Sequence, residues 1–242
     1  MSTVYLVRHG QAGTRDAYDS LSDLGKMQAR RLGEHFLSQG IRFTSACSGA
    51  LTRQRETGEE VRAAYARARV PFPAIELIPQ WNEFDLSRVY RELAPLLCAE
   101  DPEFRLEFEK MLEQVRRRDG EPGAKVHRRW LPCDTQIVKA WISARYPYTG
   151  ERWDQFWKRI ASRRLEVSGT EGRQQVVVFT SATPVAIWTG LSLQIRDERV
   201  MQLAGVLYNA SYTVLRWREG QPRLFTFNAA PHLATDGLRT HR

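Results

Sequence analysis

The sequence has no apolar run of the ~18 residues that a membrane-spanning helix needs, so an integral helical membrane protein is set aside. It does not open like a secretory leader either. Met1–Val7 is too short for an apolar h-region and Arg8 follows at once, so a soluble, cytoplasmic chain is expected. Cysteine is scarce and odd in number. Cys47, Cys98 and Cys133 show no C-x-x-C spacing, which argues against a disulfide framework and against a zinc site. They read as buried or half-buried thiols of a reducing compartment. The five histidines are dispersed and no aspartate cluster resembles a magnesium site, so no metal and no other cofactor is expected. Internal repeats, low-complexity tracts and heptads are lacking, and the sequence leaves the oligomeric state open.

What is there suffices for a sizeable core. The chain has 242 residues, 42% of them hydrophobic, enough for one large α/β domain or a core domain with an insertion. The formal charge is +8, mostly from arginine. A basic excess can bind nucleic acid or attract a small anionic substrate. Its short clusters, Arg116-Arg117-Arg118 and His127-Arg128-Arg129, are not interleaved with aromatics and read as solvated surface, so nucleic acid rests on charge alone.

Along the chain, Val4–Val7 reads as a buried strand that stops at Arg8-His9-Gly10, and Gln11–Ser20 reads as a loop. Ser22 is placed to cap a helix carrying Ala29, Leu32 and Phe36, closed by Gly40. Phe43–Cys47 is a second strand, followed by a helix with Thr57, Val61, Ala64, Tyr65 and Ala68 on one face. Ala74–Ile78 is a third strand. The middle, about residues 86–168, turns charged and helical, with apolar stripes at Phe104–Val115, Ile137–Ala144 and Trp153–Ile160 and a break at Gly120–Gly123. Its tryptophans read as core. The sheet resumes at Gln175–Thr180, a helix covers Pro184–Leu193, β-like segments span Ala210–Trp217 and Leu224–Asn228, and Asp236–Arg242 reads as a frayed tail. Alternating strands and helices predict a single domain over residues 1–242: an α/β three-layer αβα sandwich with a mainly parallel sheet and a helical insertion. In such sheets ligands sit outside the carboxyl ends of the strands. His9 and Ser48 fall there, with Arg53 in the next helical turn.

Arg8-His9-Gly10 is the candidate chemical centre. Phosphoryl transfer needs an acceptor, cationic donors and an acid for the leaving group. An imidazole can accept, and arginine's planar fork suits phosphate. Adjacent strand residues point to opposite faces, so Arg8 and His9 can converge only if the chain turns at Gly10.

The surroundings of that tripeptide resemble the histidine phosphatase superfamily, also called phosphoglycerate-mutase-like. The strand into Arg8-His9-Gly10 is the first match, and Leu21-Ser22-Asp23-Leu24-Gly25-Lys26-Met27-Gln28-Ala29 is similar to the family's L-[ST]-x-x-G-x-x-Q-A. Ser48-Gly49-Ala50-Leu51-Thr52-Arg53-Gln54-Arg55-Glu56-Thr57 is similar to S-S-x-L-x-R-A-x-x-T. Trp81-Asn82-Glu83-Phe84 supplies an acidic residue after the third strand, and Phe227–Leu233 is similar to F-N-x-x-x-H-L. The resemblance implies that His9 forms a phosphohistidine, that Arg8 and Arg53 hold phosphoryl oxygens and that Glu83 is the general acid, with Asp85 a nearby alternative. His232 reads as structural. One departure stands out: Ser181 occupies the place where the family carries a second histidine. Its hydroxyl, Thr180 and the amides opening the next helix form an expected substitute phosphate cradle. The reading is a metal-independent phosphatase acting on a phosphorylated small molecule. The alternatives are a phosphate-binding or scaffold protein with little turnover, or a phosphomutase.

Overall fold

The structure, a computed structural model, describes residues 2–13, 19–117, 131–162, 174–195, 198–218 and 220–241, with 114–117, 198 and 236 described by backbone alone. The basic clusters, the Gly120–Gly123 break, the centre of the Gln11–Ser20 loop and the end of the expected insertion lie outside the described residues or side chains. The chain divides into two compact units, Met1–Glu83 with Ile160–Arg242, and Phe84–Arg159.

The first unit carries six strands: β1 (Thr3–Arg8), β2 (Ser45–Ser48), β3 (Ile75–Leu77), β4 (Gln175–Thr180), β5 (Tyr212–Arg218) and β6 (Gln221–Ala229). Their order in the sheet is β3-β2-β4-β1-β5-β6. β1, β2, β3 and β4 pair in parallel, and β5 runs against its neighbours β1 and β6. The architecture is α/β with a mostly parallel sheet. On one face Val7, Val177 and Phe179 pack against Leu32 and Phe36 of α1 (Asp23–Ser38) and Val61 and Tyr65 of α2 (Thr52–Arg67). Each such fully buried side chain stabilises the fold by about 1.5–3 kcal/mol. The other face receives α7 (Ala182–Leu193), with α8 (Glu198–Val206) packed on α7. Trp188 of α7 meets Trp217 and Trp81 at centroid distances of 5.7 and 6.3 Å.

The second unit contains α3 (Leu86–Glu100), α4 (Pro102–Arg117) and α5 (Pro132–Ile142), and most of α6 (Trp153–Ala161). Of its tryptophans, Trp141 and Trp153 are buried, as expected, Trp157 is half-buried and Trp130 lies outside the described residues; Phe84 stacks on Trp141 at 4.5 Å.

Ser22 caps α1 by accepting from the Gly25 N–H, and Gly40 follows with φ 66°. Several boundaries move. The second strand is Ser45–Ser48, and Ala68 is the exposed C-cap of α2 rather than part of its buried face. The expected frayed tail is corrected: Asp236–Leu238 forms a 3-10 turn, and Thr240 is hydrogen-bonded to the sheet-bearing unit. The three cysteines form no disulfide, and no helix among the described residues is long and apolar enough to cross a membrane.

Candidate active site at the carboxyl ends of β1, β2 and β4

The parallel register pairs Arg8 with Thr180 and Ser48 with Phe179. His9 and Ser181 therefore continue two neighbouring strands side by side, on strands ~4.8 Å apart. His9 keeps the sheet's bonds beyond the strand. Its N–H donates to the Thr180 carbonyl at 2.9 Å and its carbonyl accepts from the Ala210 N–H at 3.0 Å. The ring is 2% exposed. Nδ1 lies 2.7 Å from the Gly10 carbonyl, which can only accept, so Nδ1 carries the proton. Nε2 accepts from Arg53 Nε at 3.3 Å. Burial, then the charges of Arg53 and Arg8, hold the His9 pKa well below the usual histidine value. The ring is thus a neutral imidazole with its lone pair on Nε2.

Gly10 serves this arrangement by its size rather than by a turn. Its φ is not in the left-handed region, and a Cβ there would lie 2.4 Å from the Gly25 carbonyl oxygen. A Cβ on Gly25 would lie 2.1 Å from the Gln11 carbonyl oxygen. Two glycines thus let the loop after β1 lie directly on the first turn of α1. The Gly10 N–H donates to Thr57 Oγ1 at 3.0 Å, and Thr57 in turn donates to the Arg53 carbonyl at 2.7 Å.

Arg53 is 6% exposed, and its Nη1 pairs with Asp19 Oδ1 at 3.0 Å, while Asp19 Oδ2 accepts from the Thr52 N–H at 3.3 Å. A carboxylate therefore meets both the guanidinium and the amino end of α2. Arg8 is 5% exposed and donates from Nη1 to the Leu207 carbonyl. Asn228, at φ 53°, holds the same segment by accepting from the Tyr208 N–H and donating to the Val206 carbonyl, which explains the late Phe-Asn match.

Ser181 is wholly buried at the N-cap of α7, and its Oγ accepts from Gln54 Nε2 at 2.8 Å. Glu83 is half-buried and accepts from the Thr183 N–H at 3.1 Å, two residues beyond Ser181. Asp85 is exposed and is engaged in capping α3 through the Arg88 N–H at 2.9 Å. The structure thus gathers His9, Arg53, Ser181 and Glu83 at the strand ends, with Arg8 beside His9, and leaves Asp85 to a helix cap. His232 stacks on His35 at 5.9 Å; burial and His35 lower its pKa to about 3. Among the described residues no three His, Cys, Asp or Glu are grouped to hold a metal.

Sequence reasoning missed the support under the loop. Gln28 accepts from the Gln11 N–H at 2.8 Å and donates to the Leu238 carbonyl at 2.7 Å and to Thr240 Oγ1 at 3.0 Å. Thr240 also donates to Asn209 Oδ1 at 2.9 Å, and Asn209 Nδ2 reaches the His9 carbonyl at 3.4 Å. No local pattern announces such bonds. Gln54 did leave a signal, since it replaces the alanine of the resembled motif.

A family model for the histidine phosphatase superfamily (branch 1) matches residues 4–142 and 134–230. The chain belongs to the histidine phosphatase superfamily. Among curated proteins it is similar to the mitochondrial serine/threonine-protein phosphatase Pgam5 of Caenorhabditis briggsae, at 22% identity over 153 residues, 62% of this chain and 52% of that protein. The chain thus spans about half the length of the curated relatives it matches. Among solved structures, YhfR of Bacillus stearothermophilus superposes with a TM-score of 0.63 at 17% identity, covering 96% of this chain and 99% of that one. The α-ribazole phosphatase of Shigella flexneri gives a TM-score of 0.58 at 15% identity, covering 94% and 96%. These likenesses confirm the superfamily fold.

Proposed function

We propose that the chain is a metal-independent phosphatase that hydrolyses a phosphate monoester through a phosphohistidine on His9. The observation that carries this reading is the tautomer of His9: Nδ1–H is tied to the Gly10 carbonyl, so Nε2 offers its lone pair beside the Arg53 guanidinium. Nε2 attacks phosphorus and the P–O bond to the leaving group breaks. The Glu83 carboxylic acid gives its proton to the departing oxygen. Water then attacks the phosphohistidine, Glu83 takes up one of its protons, and inorganic phosphate leaves with His9 neutral again. Arg53 and Arg8 stabilise the equatorial oxygens, and the Ser181 hydroxyl adds a neutral donor. Binding phosphate requires Arg53 to exchange the Asp19 carboxylate for the phosphoryl group. Nucleic acid and a membrane have no part in this reading, and a reducing compartment such as the cytoplasm suits the three thiols.

A small phosphorylated molecule is the proposed substrate. A phosphoprotein is the competing class, drawn from the name of the Pgam5 relative. A binding protein with little turnover is the second reading of the site itself, favoured by the uncharged Ser181. Hydrolysis of a chromogenic aryl phosphate in chelator, with a panel of phosphorylated metabolites and phosphopeptides, separates these classes. Wild type is expected to turn over and to yield an acid-labile, base-stable phosphoenzyme, while His9→Ala falls by ~10⁴-fold or more. Equal rates for wild type and His9→Ala would exclude the phosphohistidine.

A further inference from the structure

A serine at a helix N-cap ordinarily accepts a bond from the N–H of the second or third helical residue. Neither donor is open to Ser181. The third residue of α7 is Pro184, which has no N–H, and the N–H of the second, Thr183, is bonded to Glu83 at 3.1 Å. Ser181 accordingly makes no side-chain capping bond. Its Oγ is bonded instead to Gln54, and both side chains are wholly buried.

The direction of that bond follows from its neighbours. Gln54 Nε2 also lies 3.3 Å from the Trp81 carbonyl, which can only accept and which Thr180 Oγ1 also reaches, at 2.6 Å. Turning the amide over would set Oε1 against that carbonyl, acceptor against acceptor. Nε2 therefore faces Trp81 and Ser181, and the serine oxygen is the acceptor. The Ser181 proton must then be donated elsewhere, and among the described residues it meets no acceptor. Gly49 makes room for the amide, since a Cβ there would lie 1.9 Å from Gln54 Oε1. That oxygen is itself buried without a partner.

We propose that Gln54 is a positioning residue of the phosphoryl site: its carboxamide holds Ser181 Oγ as an acceptor and so aims the Ser181 hydroxyl proton at an oxygen of a phosphoryl group on His9. This rests on the phosphohistidine reading above. Register supports it, because Thr180 pairs with Arg8 and so sets Ser181 beside His9. An uncapped, buried serine is otherwise an unspent donor at the edge of a phosphate site. Gln54 orders it without touching the substrate.

The test uses orthovanadate as the phosphate mimic and an aryl phosphate as substrate, on the full chain. Ser181→Ala is expected to weaken vanadate binding and lower kcat by about 10²-fold with little change in KM. Gln54→Met, close in shape but without the amide, is expected to lose about as much. The double variant should be no worse than either single one, since both remove one donor. Pro184→Ala gives the third helical position an N–H that can draw Ser181 into capping. It should weaken vanadate binding by a smaller factor while leaving the thermal midpoint in place, and it carries the test should Gln54→Met not fold. Vanadate affinity and kcat within twofold of wild type in Gln54→Met, or losses that multiply in the double variant, overturn the proposal while the phosphohistidine stands. A wild-type protein that neither binds vanadate nor turns over removes both.

Discussion

In the sheet-bearing unit, Arg8, His9, Gln11, Gln28, Arg53, Gln54, Ser181 and Asn209 are all buried, and most are tied to a backbone group from a distant part of the chain. In the helical unit Asp134 is the one buried polar side chain among the described residues. Ion pairs of that unit such as Lys110–Glu107 and Arg145–Glu100 lie at the surface. Burying a polar group costs stability unless every bond is made, so a fold that gathers many in one place retains them for something other than packing. The contrast singles out the same strand ends as the proposed site, without reference to any motif.

The comparison can be broken most sharply at Gly25. Gly25→Ala puts a Cβ 2.1 Å from the Gln11 carbonyl oxygen, where backbone rather than a flexible side chain must give way. It is expected to lose about 3 kcal/mol in chemical denaturation and to displace the loop that carries His9. Near-wild-type stability would show the contact to be soft. Acid is the second probe. His9 and His232 are held below the usual histidine pKa, His232 at about 3, so the folded state takes up fewer protons than the unfolded chain. Their contribution is complete above pH 6.5 and is lost as pH falls below it, for His232 down to about 3. His232→Asn should therefore flatten that window by about 2 kcal/mol. Amide exchange should show the sheet-bearing unit loosening first, because both rings belong to it. At the small end, Lys110→Ala removes an exposed pair of the helical unit and should change the midpoint of denaturation by less than about 0.5 kcal/mol.

Local chemistry was legible and long-range chemistry was not. The apolar run of β1, the Ser22 cap, the Gly40 terminus and the buried run of β4 each follow from a handful of consecutive residues, and each is where it was expected. The helices α3 and α8 went unresolved as separate elements: α3 is interrupted in pattern by Pro95, and α8 is only nine residues long. The tail was misread because its polarity suggested solvent. Its bonds run instead to Gln28, more than two hundred residues away, for which no window of sequence holds a signal. Arg53, Ser181 and Glu83 were named as site residues from a resemblance, and the strand register brings their surroundings together. The Gln54–Ser181 bond needed coordinates, because only the missing N–H of Pro184 and the Trp81 carbonyl fix its polarity.

The position of β1 in the sheet has a consequence for how the protein is made. β1 is the first of the six strands along the chain, yet its two neighbours in the sheet are β4 and β5, which are made after β2 and β3. The backbone of His9 is held by Thr180 on one side and Ala210 on the other, and its loop is braced by Thr240 through Gln28. A growing chain therefore carries His9 well before the strands that hold its backbone exist. The placement of the His9 ring waits until β4 and β5 have joined β1.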